Sequence, residues 1–226
     1  GSAYTLMVFL ISILLGLSMG SGTVFSLQYG AGDLSALRRS IYVSLLLIGT
    51  VTILLNVAVF LWLDPILRWL QVPYDIYSLM RNYLWIIFWG IVFTFLYNFY
   101  AALLRAVGDS VTPLWFLAVS VVLNIGLDLF LILVLDQGIE GAAVATVIAQ
   151  GTAASGILLY TYKTRPELRL HREDMCFDRS SLREITSFST LTCVQQSVMN
   201  FGILMVQGLV NSFGTVVMAA FAAAVK

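Results

Sequence analysis

Apolar runs long enough to cross a bilayer alternate with short polar breaks along almost the whole chain. At about 20 residues or more each, they predict transmembrane helices rather than strands. The first span runs from about Ala3 to Tyr29, the second from Ser40 to Leu63, the third from Tyr83 to Leu104, and the central one from Pro113 to Leu135. A fifth covers Ala142 to Tyr162, a sixth about Ile185 to Phe213, and a seventh starts near Thr215. Between them, Gly30 to Arg39 reads as a polar loop whose Asp33 caps a following short helix. Asp64 to Asn82 reads as a longer connection with aromatic rings at the water boundary. Gly108 and Asp109 turn the chain into Pro113, which suits a first helical turn.

Departures from apolarity fall in stripes. In the central span Ser120, Asn124 and Asp128 lie four residues apart, on one helical face with a carboxylate at its end. A charged side chain is costly at that depth and normally faces a protein interior or a wet cavity, so such residues mark ion or proton pathways. Asp128 is therefore the candidate coupling site. Gly90, Thr94 and Asn98 form a small-and-polar face on the third span. On the fifth, Ala145, Ala149 and Ala153 form a close-packing face, with Thr146 and Gln150 beside it. Thr192, Gln196, Asn200, Gln207 and Asn211 share one broad stripe of the sixth span, too polar for lipid contact. Asn98, Gln150, Gln196, Asn200 and Gln207 are the candidate cavity-lining residues. Gly16 and Gly20 have the spacing that lets helices approach closely in lipid. Asn56, the one strongly polar side chain of its span, reads as an interhelical hydrogen bond.

Composition fits these spans. The mean hydropathy is +0.93 and only 11% of residues are charged, which excludes an ordinary soluble domain. A formal net charge of zero gives no case for a nucleic-acid partner. Cys176 and Cys193 fall in a polar linker and an apolar helix, so a disulfide between them is not expected, and two thiols make no metal site. No phosphate-binding loop is present, and one membrane acid without a membrane histidine does not make an intramembrane hydrolase. Transport would then be driven by an ion gradient rather than directly by ATP, with a structural membrane scaffold as the other reading. If the spans alternate, Arg38, Arg39, Arg105, Lys163, Arg165, Arg169, Arg172, Arg179 and Arg183 share one side, and Arg68 and Arg81 the other. The positive-inside tendency makes the richer side cytoplasmic. The charged stretch from Lys163, with Pro166, then reads as a water-exposed linker. A start without Met and an apolar run still open at Lys226 read as a piece of a longer protein.

Four motifs in register carry a resemblance: Gln28-Tyr-Gly-Ala-Gly-Asp33; Tyr97-Asn98 with Leu104-Arg-Ala-Val-Gly-Asp-Ser-Val-Thr-Pro113; Leu123-Asn-Ile-Gly-Leu-Asp128; and Gly138-Ile-Glu-Gly-Ala-Ala-Val-Ala-Thr-Val-Ile-Ala-Gln150. The chain resembles the multidrug and toxic compound extrusion (MATE) family of secondary transporters. That resemblance implies an all-α polytopic bundle of two six-helix lobes. Residues 1–162 would supply one lobe without its first helix, 163–184 a cytoplasmic linker, and 185–226 the beginning of the second lobe. It also implies that Asn124, Asp128 and Thr146 belong to a site for a coupling proton or sodium ion, with Asp128 and Asn124 as the possible sodium ligands. Gln195 and Gln196 stand where some branches carry an acid. The expected protein is a non-enzymatic, multi-pass, monomeric antiporter of the cell membrane without cofactor, exporting organic cations or drugs. A flippase for lipid-linked precursors, the alternative, wants a strongly cationic cavity, and no Lys or Arg falls inside the spans.

Overall fold

The structure, a computed structural model, describes residues 2–69 and 74–212. Six long helices make up the fold: α1 Ser2–Gly30, α2 Leu34–Trp69, α3 Tyr74–Ala106, α4 Val111–Leu129, α5 Gly138–Thr164 and α6 Arg179–Ser212. Stretches within α1 to α5 are long and apolar enough to cross a membrane, and α4 extends to Val134 for that purpose. The polar α6, 34 residues long, is not among these stretches. The expected seventh span lies outside the described residues.

α1, α2 and α3 enclose the main core, where Phe25 meets Phe99 edge to face at 5.8 Å. α5 packs against α3 where Gly90 faces Val147 and Gln150 and Gly151 faces Phe93. Ala145, Ala149 and Ala153 are all buried, as a close-packing face should be, with the Ala149 carbonyl meeting Ser120 of α4. α4 leans on α5 and turns most of its apolar surface outward, as a lipid-facing helix does.

Four boundaries differ from the sequence reading. Asp33 does cap a helix, its Oδ1 accepting the Ala36 N–H at 2.9 Å, but that helix is the whole of α2 and not a short one. The long connection expected from Asp64 is helical on both sides: α2 passes through Pro65 to Trp69, held by buried Leu63 and Leu67, and α3 already starts at Tyr74. Burial of those leucines offsets the one hydrogen bond that a proline removes. α4 ends in a π turn, Phe130–Val134, which turns Leu131 onto α5 while Leu133 and Val134 stay exposed. The stretch after Lys163 is mostly exposed, as read, but touches the bundle at particular points: Leu168 is 5% exposed within the main core and Asp174 is buried.

Charged groups clamp that stretch. Arg38 at the start of α2 lies 3.0 Å from Asp174, whose carboxylate also accepts the His171 N–H at 3.1 Å. Arg165 reaches Asp109 in the α3–α4 turn at 3.6 Å, and Arg169 donates to the Tyr162 carbonyl at 2.7 Å with its guanidinium over that ring. All these loops therefore meet at one basic end of the bundle. At the opposite end, Asp64 accepts from Tyr77 at 3.0 Å and from Arg81 at 2.9 Å, and Asn82 donates to Glu140 at 2.9 Å.

α6 lies along α1, and glycine makes the contact possible. A Cβ on Gly20 would sit 2.4 Å from the Ser189 Cα, and one on Gly16 2.7 Å from the Cys193 Sγ. Ser189 Oγ donates to the Leu17 carbonyl at 3.3 Å, and the Asn200 amide donates to Ser12. Cys176 and Cys193 are both free thiols.

Two outcomes are expected. Gly20→Leu collides with backbone that cannot yield, and should cost about 1–3 kcal/mol in thermal unfolding of the full-length protein in detergent. Burial of Asp174 works to raise its pKa, but the His171 amide and the Arg38 guanidinium win and hold the carboxyl below its ordinary value. Its contribution is therefore complete above the ordinary carboxylate range and lost as pH falls through the lowered value. Limited trypsin digestion should show linker cleavage rising in Asp174→Asn at neutral pH, where the wild type resists.

Candidate coupling site and cavity

α4 presents its polar stripe to α5. The α3–α4 turn fixes how it enters: Gly108 takes φ +90°, a left-handed conformation that suits glycine, and lets the Asp109 N–H reach back to the Leu104 carbonyl at 2.9 Å. Asp109 Oδ1 then accepts the Thr112 N–H at 3.0 Å and Oδ2 its hydroxyl at 2.8 Å, capping α4. Burial pushes this carboxyl up, yet the Thr112 donors and Arg165 outweigh it and hold its pKa below the ordinary value. It is a structural acid.

Along the stripe the pairing changes step by step. Buried Ser120 donates to the Ala149 carbonyl at 3.0 Å. One turn on, the Asn124 amide approaches Thr146 Oγ1 at 3.5 Å, while that hydroxyl donates to its own helix at Ala142. A turn further, Asp128 Oδ1 is shut off from solvent and has no hydrogen-bond partner. It is the one carboxylate oxygen in that condition among the described residues. A buried acceptor without a donor is costly, and a bound cation or proton removes the cost. No cluster of three metal-ligating side chains occurs among the described residues.

The other candidates separate into two groups. Asn98 and Gln150 line a cavity of about 570 Å³ between α1, α3, α4 and α5, together with Thr94, Tyr97 and Ser120. Thr94 joins them: its hydroxyl donates to Gln150 Oε1 at 2.9 Å, and its carbonyl accepts from Asn98 Nδ2 at 2.8 Å. Asn200 lies instead at the α1–α6 seam on Ser12, Gln196 is half-buried on the same helix, and the side chain of Gln207 lies outside the described residues. Sequence reasoning missed Arg105, which lines this cavity and a neighbouring one of about 670 Å³. Its place directly after the apolar third span was the available signal.

Fold and site define an α-helical multi-pass membrane protein with an isolated polar site on a lipid-facing helix. The MatE family model matches residues 1–130, and the chain belongs to that family. It is 34% identical over 219 residues to the probable multidrug resistance protein YpnP of Bacillus subtilis, covering 97% of this chain and 49% of that protein. The chain spans about half the length of the curated relatives it matches. Its fold is that of a MATE protein crystallised in complex with MaD3S (TM-score 0.88, 20% identity, 98% of this chain and 50% of that one). It is likewise that of the Vibrio cholerae MATE transporter VcmN in its bent form (TM-score 0.84, 24% identity, 99% and 50%).

A group that serves packing loses a bond when it is replaced. Ser120→Ala should lower the stability of the full-length protein by about 1 kcal/mol. Asp128→Asn, whose Oδ1 gives up no donor, should leave the melting temperature unchanged or raised. Thermal melts at neutral pH in detergent separate the two.

Proposed function

We infer that the full-length protein is an ion-coupled antiporter of the cell membrane that exports lipophilic, often cationic, drugs by alternating access, with a proton or sodium ion as the coupling ion. The observation that carries this reading is the buried and unpartnered Asp128 Oδ1, next in line to the Asn124–Thr146 pair on an apolar helix. Such an oxygen is satisfied by gaining a cation and destabilised by losing it, which is what a coupling site requires. The relatives' names, probable multidrug resistance protein and multidrug export protein, support the same reading.

The basic end, where Arg38, Arg105 and Arg165 gather, is taken as cytoplasmic by the positive-inside tendency, with the folded linker on that face. Asp128 then lies in the outer half of α4, about 5 Å beyond its centre when counted one turn past Asn124. An ion at Asp128, with Asn124 and Thr146 as neutral ligands, favours release of substrate outward only because it binds the two conformations unequally. A cationic drug is drawn by the ionised carboxylate and repelled once the ion is there, so ion and drug compete electrostatically. No covalent step and no cofactor take part, and one copy of the full-length protein is enough.

Full-length protein in vesicles, given a proton gradient and a sodium gradient in separate experiments, should export a lipophilic cation under one of them. Asp128→Asn should abolish that efflux, and full activity in the variant would overturn the coupling role.

A further inference from the structure

A separate cavity of about 190 Å³ lies at the basic end, between α2, α3, α5 and the linker, and shares no residue with the two described above. Its wall is mostly apolar, with Ile41, Leu103, Leu158 and Leu168. Thr161 also lines it, but its hydroxyl is spent on the Ile157 carbonyl at 2.8 Å. One charged side chain completes the wall, the half-buried Arg169 of the linker. Two contacts hold that arginine in place: Nε donates to the Tyr162 carbonyl at 2.7 Å, and the guanidinium carbon stands 4.6 Å over the Tyr162 ring. Neither contact neutralises it. The linker acids Glu167 and Asp174 pair with Arg165 at 3.7 Å and with Arg38 at 3.0 Å, and among the described residues no carboxylate lies within ion-pair distance of Arg169.

A guanidinium that is held in place and left unpaired beside an apolar cavity matches an oxyanion that carries a hydrocarbon chain. The cavity is smaller than the roughly 300–1,000 Å³ of a drug site, so it admits a length of chain and not a ring system. At the end taken as cytoplasmic, the membrane itself supplies that chemistry. Its inner leaflet carries anionic phospholipids, and basic pockets between helices on that side receive their head groups. We propose that this cavity binds an anionic phospholipid of the inner leaflet, with its phosphate on Arg169 and a stretch of one acyl chain against Leu158 and Leu168. The bound lipid fastens the linker, which otherwise touches the bundle at few points, to α2, α3 and α5. It needs neither Asp128 nor the cavity around Asn98 and Gln150, so it stands apart from the export reading.

The test is equilibrium binding to the full-length protein in an uncharged detergent of three probes: dioctanoylphosphatidylglycerol, dioctanoylphosphatidylcholine with the same chains, and inorganic phosphate. Wild type should bind the anionic lipid about tenfold more tightly than the zwitterionic one, and inorganic phosphate more weakly than either. Arg169→Gln should bring the ratio of the two lipids near one. Arg172→Gln removes an exposed charge of the same linker that does not line the cavity, and should leave the ratio as it is. Leu158→Phe fills the cavity while the contacts of Arg169 with Tyr162 stay, so it tests the site even where loss of Arg169 loosens the linker; it should weaken the anionic lipid several-fold. Equal binding of the two lipids by wild type, a ratio that survives Arg169→Gln, or a ratio that Arg172→Gln reduces as far would overturn the proposal. So would inorganic phosphate binding as tightly as the anionic lipid, or full lipid affinity in Leu158→Phe.

Discussion

A polar atom in hydrocarbon has no water to fall back on, and this constraint governs the whole bundle. Many hydroxyls along the helices are satisfied by their own backbone one turn earlier, as Ser21 is on Leu17, Ser26 on Gly22, Thr52 on Ile48 and Thr161 on Ile157. Others satisfy a neighbouring helix, as Ser120 does at Ala149 and Ser189 at Leu17. The Ser18, Ser40 and Ser44 hydroxyls, by contrast, are buried without a partner. So are the amide oxygens of Gln28 and of Asn56, whose sequence reads as an interhelical hydrogen bond. Among the buried unpaired atoms of the described residues, Asp128 Oδ1 is the one carboxylate oxygen, and a carboxylate is costlier to bury than a hydroxyl. That carboxylate oxygen and the proposed coupling site coincide at Asp128.

The same constraint shapes how helices meet. Lipid tails are as apolar as leucine, so close backbone approach and polar contacts decide which helices associate. α1 meets α6 through Gly16 and Gly20, with Ser189 and Cys193 filling the space, and α3 meets α5 through Gly90 set against Val147 and Gln150 and Gly151 set against Phe93. Since α1 and α6 lie on either side of the linker, this seam joins two parts of the chain that composition alone divides. The Arg38–Asp174 and Arg165–Asp109 pairs hold the linker against the same bundle.

Much of this was legible from spacing. Four-residue steps put Ser120, Asn124 and Asp128 on one face, and the structure turns that face to α5. Gly108-Asp109 gave the turn and cap, and the alanine stripe gave a buried face of α5. Where the reading fell short, tertiary contacts overrode local signals. Pro65 reads as a break, but buried Leu63 and Leu67 keep α2 helical past it. The charged stretch after Lys163 reads as solvated, but Leu168 finds an apolar site and Asp174 a guanidinium.

The sequence by itself determined the membrane-crossing helices, their polar stripes and the position of the lone membrane acid, because these depend only on hydropathy and on the 3.6-residue period. Only the tertiary structure decided that Asp128 Oδ1 has no partner while Ser120 has one, and that Asn200 goes to Ser12 while Asn98 and Gln150 line a cavity. Those outcomes depend on which atoms a second helix brings within hydrogen-bonding distance, and spacing along one helix carries no information about its neighbour.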